Sequence, residues 1–136
     1  MNKSIKERIK FANDELFENG NFTVINELFA VDYTVHAGGK EYKGHEFIKR
    51  WVRQLRSAIP DIRVVKVEFY VQTGDIIVWQ RTLRGTHESD MMGIPATGRK
   101  AEWREMAVSR FRGEKIAEEW VVSELAGELL SKSPIA

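Results

Sequence analysis

The sequence predicts an α+β fold in which N-terminal helices pack on one face of a curved, mostly antiparallel sheet. Apolar residues recur at helical spacing through residues 4–58. From Ile62 to Glu124 the chain changes to β-branched and aromatic runs, and short turns at Gly74-Asp75 and Arg112-Gly113-Glu114 join them. Helices first and strands afterwards is the order of folds that segregate helices on one side of an antiparallel sheet. A strongly curved sheet of this kind leaves a cone-shaped cavity, because a few helices cannot fill its wide end.

Taken in order, Ile5, Ile9, Ala12 and Leu16 mark the apolar stripe of an amphipathic helix over Ser4 to Glu18, and Asn19-Gly20 ends it. Asn21 can cap a shorter helix that turns Phe22, Ile25, Leu28 and Phe29 toward the core. Val31 to His36 has strand character and runs into a turn at Gly38-Gly39. Gly44 precedes a third helix, His45 to about Ala58, with Phe47, Trp51 and Leu55 on its core face, and Pro60-Asp61 stops it. Ile62 to Gln72 and Ile76 to His87 read as an antiparallel pair. An irregular loop follows through Met91-Met92-Gly93-Ile94-Pro95 to Arg99, then a second pair, Lys100 to Phe111 and Lys115 to Glu124. Ala126 to Lys132 is either one helical turn or a frayed tail.

At 136 residues the chain fits one domain, 1–136, able to bury roughly two thirds of its unfolded surface. Its 21 basic and 20 acidic residues leave a net charge of +1, so there is no global field to draw in nucleic acid or a membrane surface. The basic residues Lys3, Lys6, Arg8, Lys10, Lys49, Arg50, Arg53 and Arg56 are interleaved with apolar positions as solvated helix faces. The absence of cysteine excludes disulfides and thiol nucleophiles. Charges stand where a signal peptide would have its apolar core, and no apolar run approaches membrane-spanning length, so a cytoplasmic protein is expected.

Strand residues two apart share a face, which groups Trp79, Arg81, Leu83, Gly85 and His87, and separately Trp120, Val122 and Glu124. Ionisable groups set among bulky apolar ones suit a small-molecule pocket. Glu124 beside Trp120 would be desolvated, with a raised pKa suited to taking a C–H proton; otherwise it is a solvent-exposed strand-end charge or a helix-capping acid. His87 could hold a substrate carbonyl, or be a structural histidine at a loop start. His36 could face the same cavity, or lie in the core or at a subunit contact. His45, in a first helical turn, is given no role.

Trp103 and Glu105 alternate inward, and Arg81 on the neighbouring strand can pair with Glu105, as a structural ion pair or as a group orienting the pocket. Trp51, Trp79, Trp103 and Trp120 pack the core and could also stack a flat substrate. Met92, in its glycine-bounded loop, suits a lid or a subunit contact. No His-x-His or His-Glu-x-x-His spacing occurs, so no metal site is expected.

Several stretches also match a known family: Val31-Asp32-Tyr33-Thr34-Val35-His36 after an early helix, Gly44 opening the next, Ile59-Pro60-Asp61, and Gly74-Asp75 before a strand. Gly85-Thr86-His87, Gly93-Ile94-Pro95-Ala96-Thr97-Gly98-Arg99, and Arg110-Phe111-Arg112-Gly113-Glu114-Lys115-Ile116-Ala117-Glu118-Glu119-Trp120 follow in the same order. With these, the chain resembles the SnoaL-like polyketide cyclases of the NTF2-like, ketosteroid-isomerase-like superfamily. The resemblance implies a cone-shaped NTF2-like fold, a hydrophobic small-molecule substrate, ring closure by an intramolecular aldol step without metal or cofactor, and a homodimer formed through the outer face of the sheet. It also implies a general acid/base aspartate four residues after the last-strand tryptophan, a position held here by Glu124. The family's Gln-Leu-Gly chain end is replaced by Ser131-Lys132-Ser133-Pro134. The same scaffold hosts isomerases and non-catalytic binding modules, and these stand as the alternatives.

Overall fold

The computed structural model describes residues 4–131. Met1 to Lys3 and Lys132 to Ala136, including most of the altered chain end, lie outside the described residues. Helix α1 (Ile5–Asn13) opens on a reciprocal cap: the Ser4 hydroxyl accepts from the Glu7 backbone N–H at 3.1 Å, and the Glu7 carboxylate accepts from the Ser4 N–H at 3.0 Å. It continues as a π-helical turn, Asp14–Glu18, whose wider winding delivers Leu16 and Phe17 to the interior. Arg56 closes that turn by donating to the carbonyls of Phe17 (2.6 Å) and Glu18 (2.8 Å). Gly20 is required beside it, because its φ is +63° and a Cβ there would meet Arg56 Nε at 2.6 Å.

A 3-10 turn (Phe22–Val24) and α2 (Ile25–Leu28) lead into β1 (Phe29–Ala37), β2 (Lys40–Lys43) and α3 (His45–Ala58). The strands β3 (Arg63–Thr73), β4 (Ile76–Thr86), β5 (Lys100–Arg112) and β6 (Lys115–Ser123) follow, then α4 (Leu125–Leu130). The six strands form one open sheet in the order β2-β1-β6-β5-β4-β3. All neighbours are antiparallel except β1 and β6, which run parallel. The helices cover its concave face, as expected. Among the described residues no helix is long and apolar enough to cross a membrane.

Strand β2 was not anticipated, since Lys40-Glu41-Tyr42-Lys43 lacks an apolar alternation; it pairs on the sheet edge, where only backbone complementarity is needed. The buried face of α3 is Ile48, Val52, Leu55 and Ala58. Phe47 and Trp51 are only partly buried, because the next row of the helix looks into an unfilled space. Gly85 sits hard against the end of α3: a Cβ would meet Ile59 Cγ2 at 2.2 Å. Next to it, Asp61 accepts from the Thr86 N–H at 2.6 Å and from its hydroxyl at 2.8 Å, tying the α3–β3 loop to the end of β4.

One irregularity corrects the sequence expectation for the last strand. In the β5–β6 hairpin Phe111 lies opposite Ile116, but the next pair is Arg110 with Glu118, so Ala117 is an extra residue. Directly opposed residues in an antiparallel pair point to the same face, and one added residue inverts every side chain beyond it. Glu119, Val121 and Ser123 therefore join Ser109, Ala107 and Glu105 on the concave side. Trp120, Val122 and Glu124 go to the outer face; Trp120 is 40% and Val122 74% exposed.

Candidate functional site

Between α1 with its π turn, α3 and the concave face of the sheet lies a cavity of about 840 Å³. Its wall is mainly apolar and aromatic, including Leu16, Phe17, Phe29, Tyr42, Phe47, Ile48, Trp51 and Trp79, with Gly38, Gly39, Arg50 and Met92 also bordering it. Asn13, Tyr33, Arg81, Glu105, Glu119 and Ser123 supply polar groups. A few convergent polar groups in an apolar hollow are what a small-molecule site requires.

The polar groups form two clusters. In the first, Arg81 donates through Nε to Glu105 Oε1 at 2.8 Å, with Nη2 2.7 Å from the same oxygen. Nη1 donates to Asn13 Oδ1 at 3.1 Å. Glu105 Oε2 accepts from the Ser123 hydroxyl at 2.6 Å and from the Trp103 indole at 3.3 Å. The Arg81 guanidinium also lies 4.5 Å from the ring centre of Phe17 and 5.4 Å from that of Trp79. Glu105 is thus a buried carboxylate with a buried cation beside it.

Among the described residues the second cluster has no cation in contact. Glu119 Oε1 accepts from the Tyr33 hydroxyl at 2.7 Å, and Oε2 accepts from the Ser109 hydroxyl, which itself accepts from the Trp79 indole at 2.8 Å. Burial pushes the Glu119 carboxyl up from the usual glutamate range, against smaller lowering effects of the two hydroxyls and the more distant Arg81 charge. Burial, with the Glu119 charge next to it, pushes the Tyr33 phenol well up, so it keeps its proton as a donor.

Of the residues proposed from sequence, Trp51, Trp79, Arg81, Glu105 and Met92 border the cavity. Trp103 is buried and not part of the lining, and its indole N–H donates to Glu105. Glu124 does not enter. Its carboxylate is exposed and accepts from Arg104 Nε and Nη2, both at 3.0 Å, and this pairing lowers its pKa where desolvation was expected to raise it. The alternative, a solvent-exposed acid at the end of the strand, is the arrangement found, and Glu124 stands at the N-cap position of α4.

His87 is fully buried but away from the cavity, because Asp61 and a backbone bond to Arg99 bend the chain after β4. Its Nδ1 accepts from the Thr97 N–H at 3.3 Å, and its buried Nε2 has no partner among the described residues. His36 and Trp120 stack on the outer face at 5.1 Å, and His36 Nε2 is 2.7 Å from Glu118. Glu118 is also bonded by Arg110, which holds its carboxyl below the usual range. Among the described residues no three His, Asp or Glu side chains converge as a metal site would need.

Sequence reasoning passed over Asn13, Tyr33, Ser109, Glu119 and Ser123. Asn13 lies four residues after Ile9 on the buried stripe of α1, and Tyr33 alternates with Val35, so both carried a signal. Ser109 continues the Trp103, Glu105, Ala107 row. Glu119 and Ser123 depend on the Ala117 bulge and had none.

Fold and cavity together define a small α+β cone with a mainly apolar hollow on the concave side of its sheet. The chain belongs to the SnoaL-like polyketide cyclase family, whose model matches residues 7–130. Among solved structures it is similar to wild-type IdmH of Streptomyces antibioticus, provisionally assigned as a polyketide cyclase: 27% identity over 93% of this chain and 96% of that one, TM-score 0.79. A provisional polyketide cyclase of Acidithiobacillus ferrooxidans shares 26% identity over 94% of each chain, TM-score 0.76. A SnoaL-like protein of Jannaschia sp., 20% identical over 98% of this chain and 99% of that one, has the same NTF2-like fold, TM-score 0.81. No curated protein matches the chain.

Proposed function

We propose that this chain is a cofactor-free enzyme that moves a proton at a carbon next to a carbonyl, on a hydrophobic cyclic or aromatic substrate held in the cavity, and so closes a ring by an intramolecular aldol step. One observation carries it: a buried carboxyl, Glu119, lines the cavity and is bonded to the hydroxyls of Tyr33 and Ser109, with no cation in contact among the described residues. A carboxyl so held can be shifted toward neutral pH, where it serves both as base and as acid.

The step balances without a co-reactant. Glu119 takes the proton of the acidic C–H, and the electron pair of that bond passes into the neighbouring carbonyl to give an enolate. The enolate carbon attacks a second carbonyl of the same molecule, forming the ring bond, and the resulting alkoxide recovers the proton from Glu119. Each carboxylate oxygen has a second lone pair beyond the one used by its hydroxyl partner. Return of the proton to a different carbon would make the same site a double-bond isomerase.

That both Glu119 oxygens already have partners favours a second reading, a non-catalytic module that binds an apolar ligand. Glu119→Gln separates the two, since it keeps shape and removes basicity. The enzyme is expected to lose turnover of a diketone substrate by at least about a hundredfold while retaining ligand affinity. Unchanged turnover in that variant would remove Glu119 as the base, whereas ligand binding with no turnover of any carbonyl compound by the native protein would leave the binding module.

We also propose a homodimer built on the outer face of the sheet. Trp120, Val122, Met106 and Val71 are exposed there, flanked by the Arg104–Glu124 and Arg110–Glu118 pairs, an apolar centre with a charged rim.

A further inference from the structure

Arg81 has more donors than its protein partners use. Arginine offers five N–H groups. Glu105 accepts from Nε and stands 2.7 Å from Nη2, and Asn13 accepts from Nη1. Nη1 and Nη2 each keep a further N–H with no partner among the described residues, on a side chain only 13% exposed that borders the cavity. Its position is set from several sides: Phe17 and Trp79 lie against the guanidinium, and Glu105 is itself held by Ser123 and Trp103. Donors fixed in advance inside a dry cavity stabilise negative charge that develops on a reacting oxygen, because nothing has to reorient when the charge appears.

Glu105 offsets the charge of Arg81, so the pair as a whole offers directed donors more than a net positive field. Such a site suits a delocalised oxyanion, whose charge is soft and spread through a conjugated plane, better than a compact carboxylate or phosphate. Trp79 links this site to the carboxyl: its ring lies 5.4 Å from the Arg81 guanidinium, and its indole N–H donates to Ser109, which donates to Glu119.

We propose that Arg81 is the oxyanion-holding residue of this cavity and that it selects substrates whose reacting oxygen belongs to an enolisable 1,3-dicarbonyl or a phenol. This rests on the cavity being the working site, as above, but on different atoms from Glu119. 4-Nitrophenol is a suitable probe, because its phenol and phenolate absorb at different wavelengths and it undergoes no reaction. Bound to the native protein, it is expected to ionise about one pH unit or more below the free compound, a roughly tenfold preference for the phenolate. Arg81→Met combined with Glu105→Met, which leaves no unpaired buried charge, should still bind the neutral phenol and lose the preference. Arg81→Lys should keep part of it, and Glu124→Gln, outside the cavity, all of it.

An unshifted ionisation in the native protein overturns the assignment even if no variant folds. A shift that survives in the double variant overturns it as well. Turnover of Glu119→Gln is read separately: loss there with no phenolate preference sinks Arg81 alone, and phenolate preference with full Glu119→Gln turnover sinks the proton-transfer scheme alone.

Discussion

Ser109 and Glu119 are directly opposed in the β5–β6 register, and the Ser109 hydroxyl donates to the Glu119 carboxylate. The same hydroxyl accepts from the buried Trp79 indole. Removing it strands a donor and deprives the carboxyl of one of its two hydroxyl partners. Ser109→Ala should lower stability by about 1–3 kcal/mol, the cost of an unsatisfied buried group, and raise the Glu119 pKa further. Urea unfolding measures the first effect, and the acid limb of the pH–rate profile the second, which should move to higher pH.

Glu124→Gln should leave turnover within about twofold of the native protein, since the side chain lies on the outer face bound to Arg104. A loss comparable with that of Glu119→Gln would show that the acid works from outside the cavity and would overturn the assignment of Glu119.

Titration of Glu119 should also appear in stability. Its folded-state pKa is raised by burial, so between the ordinary glutamate value and the raised one the native state holds a proton that the unfolded chain has released. Its favourable contribution is therefore complete at acid pH and falls away as pH rises through that window. Glu118, Asp61 and Glu124 have lowered values and work in the opposite sense, losing their contribution as pH falls. The difference between native protein and Glu119→Gln isolates the one group. Thermal unfolding across weakly acid to neutral pH should find the variant gaining on the native protein as pH rises, and a flat difference would mean that Glu119 titrates normally.

Gly85→Ala should cost about 1–3 kcal/mol by overpacking. Its Cβ would fall 2.2 Å from Ile59 Cγ2 and 3.2 Å from the Ile62 backbone, at the junction of α3 with the sheet. A midpoint shift in denaturant without a change in slope is the expected signature.

Val122→Glu places a charge in the centre of the proposed subunit contact. Sedimentation should show a dimer for the native protein and a monomer for the variant, with the helical signal retained, because the native side chain is 74% exposed in the single chain. A dimer insensitive to this change would place the contact elsewhere.

Local pattern was enough for much of this molecule. The helical stripes, the turns at Gly74-Asp75 and Arg112-Gly113-Glu114, and the strand alternation specify helices on a curved sheet, and the family resemblance came through in nearly the whole chain. The inward row Trp79, Arg81, Leu83, Gly85 was legible because β4 pairs with β5 without a register shift, and the Arg81–Glu105 pair followed from it. What the sequence by itself could not determine was the face of β6. The turn before it predicts an unbroken hairpin that would bring Trp120, Val122 and Glu124 inside. The Ala117 bulge, set by how β6 fits between β5 and the parallel β1, turns them out and brings Glu119 in. A strand alternates with a period of two, so a single residue accommodated by long-range pairing exchanges the whole interior set for the exterior one, and only the assembled sheet decides which carboxylate meets the cavity.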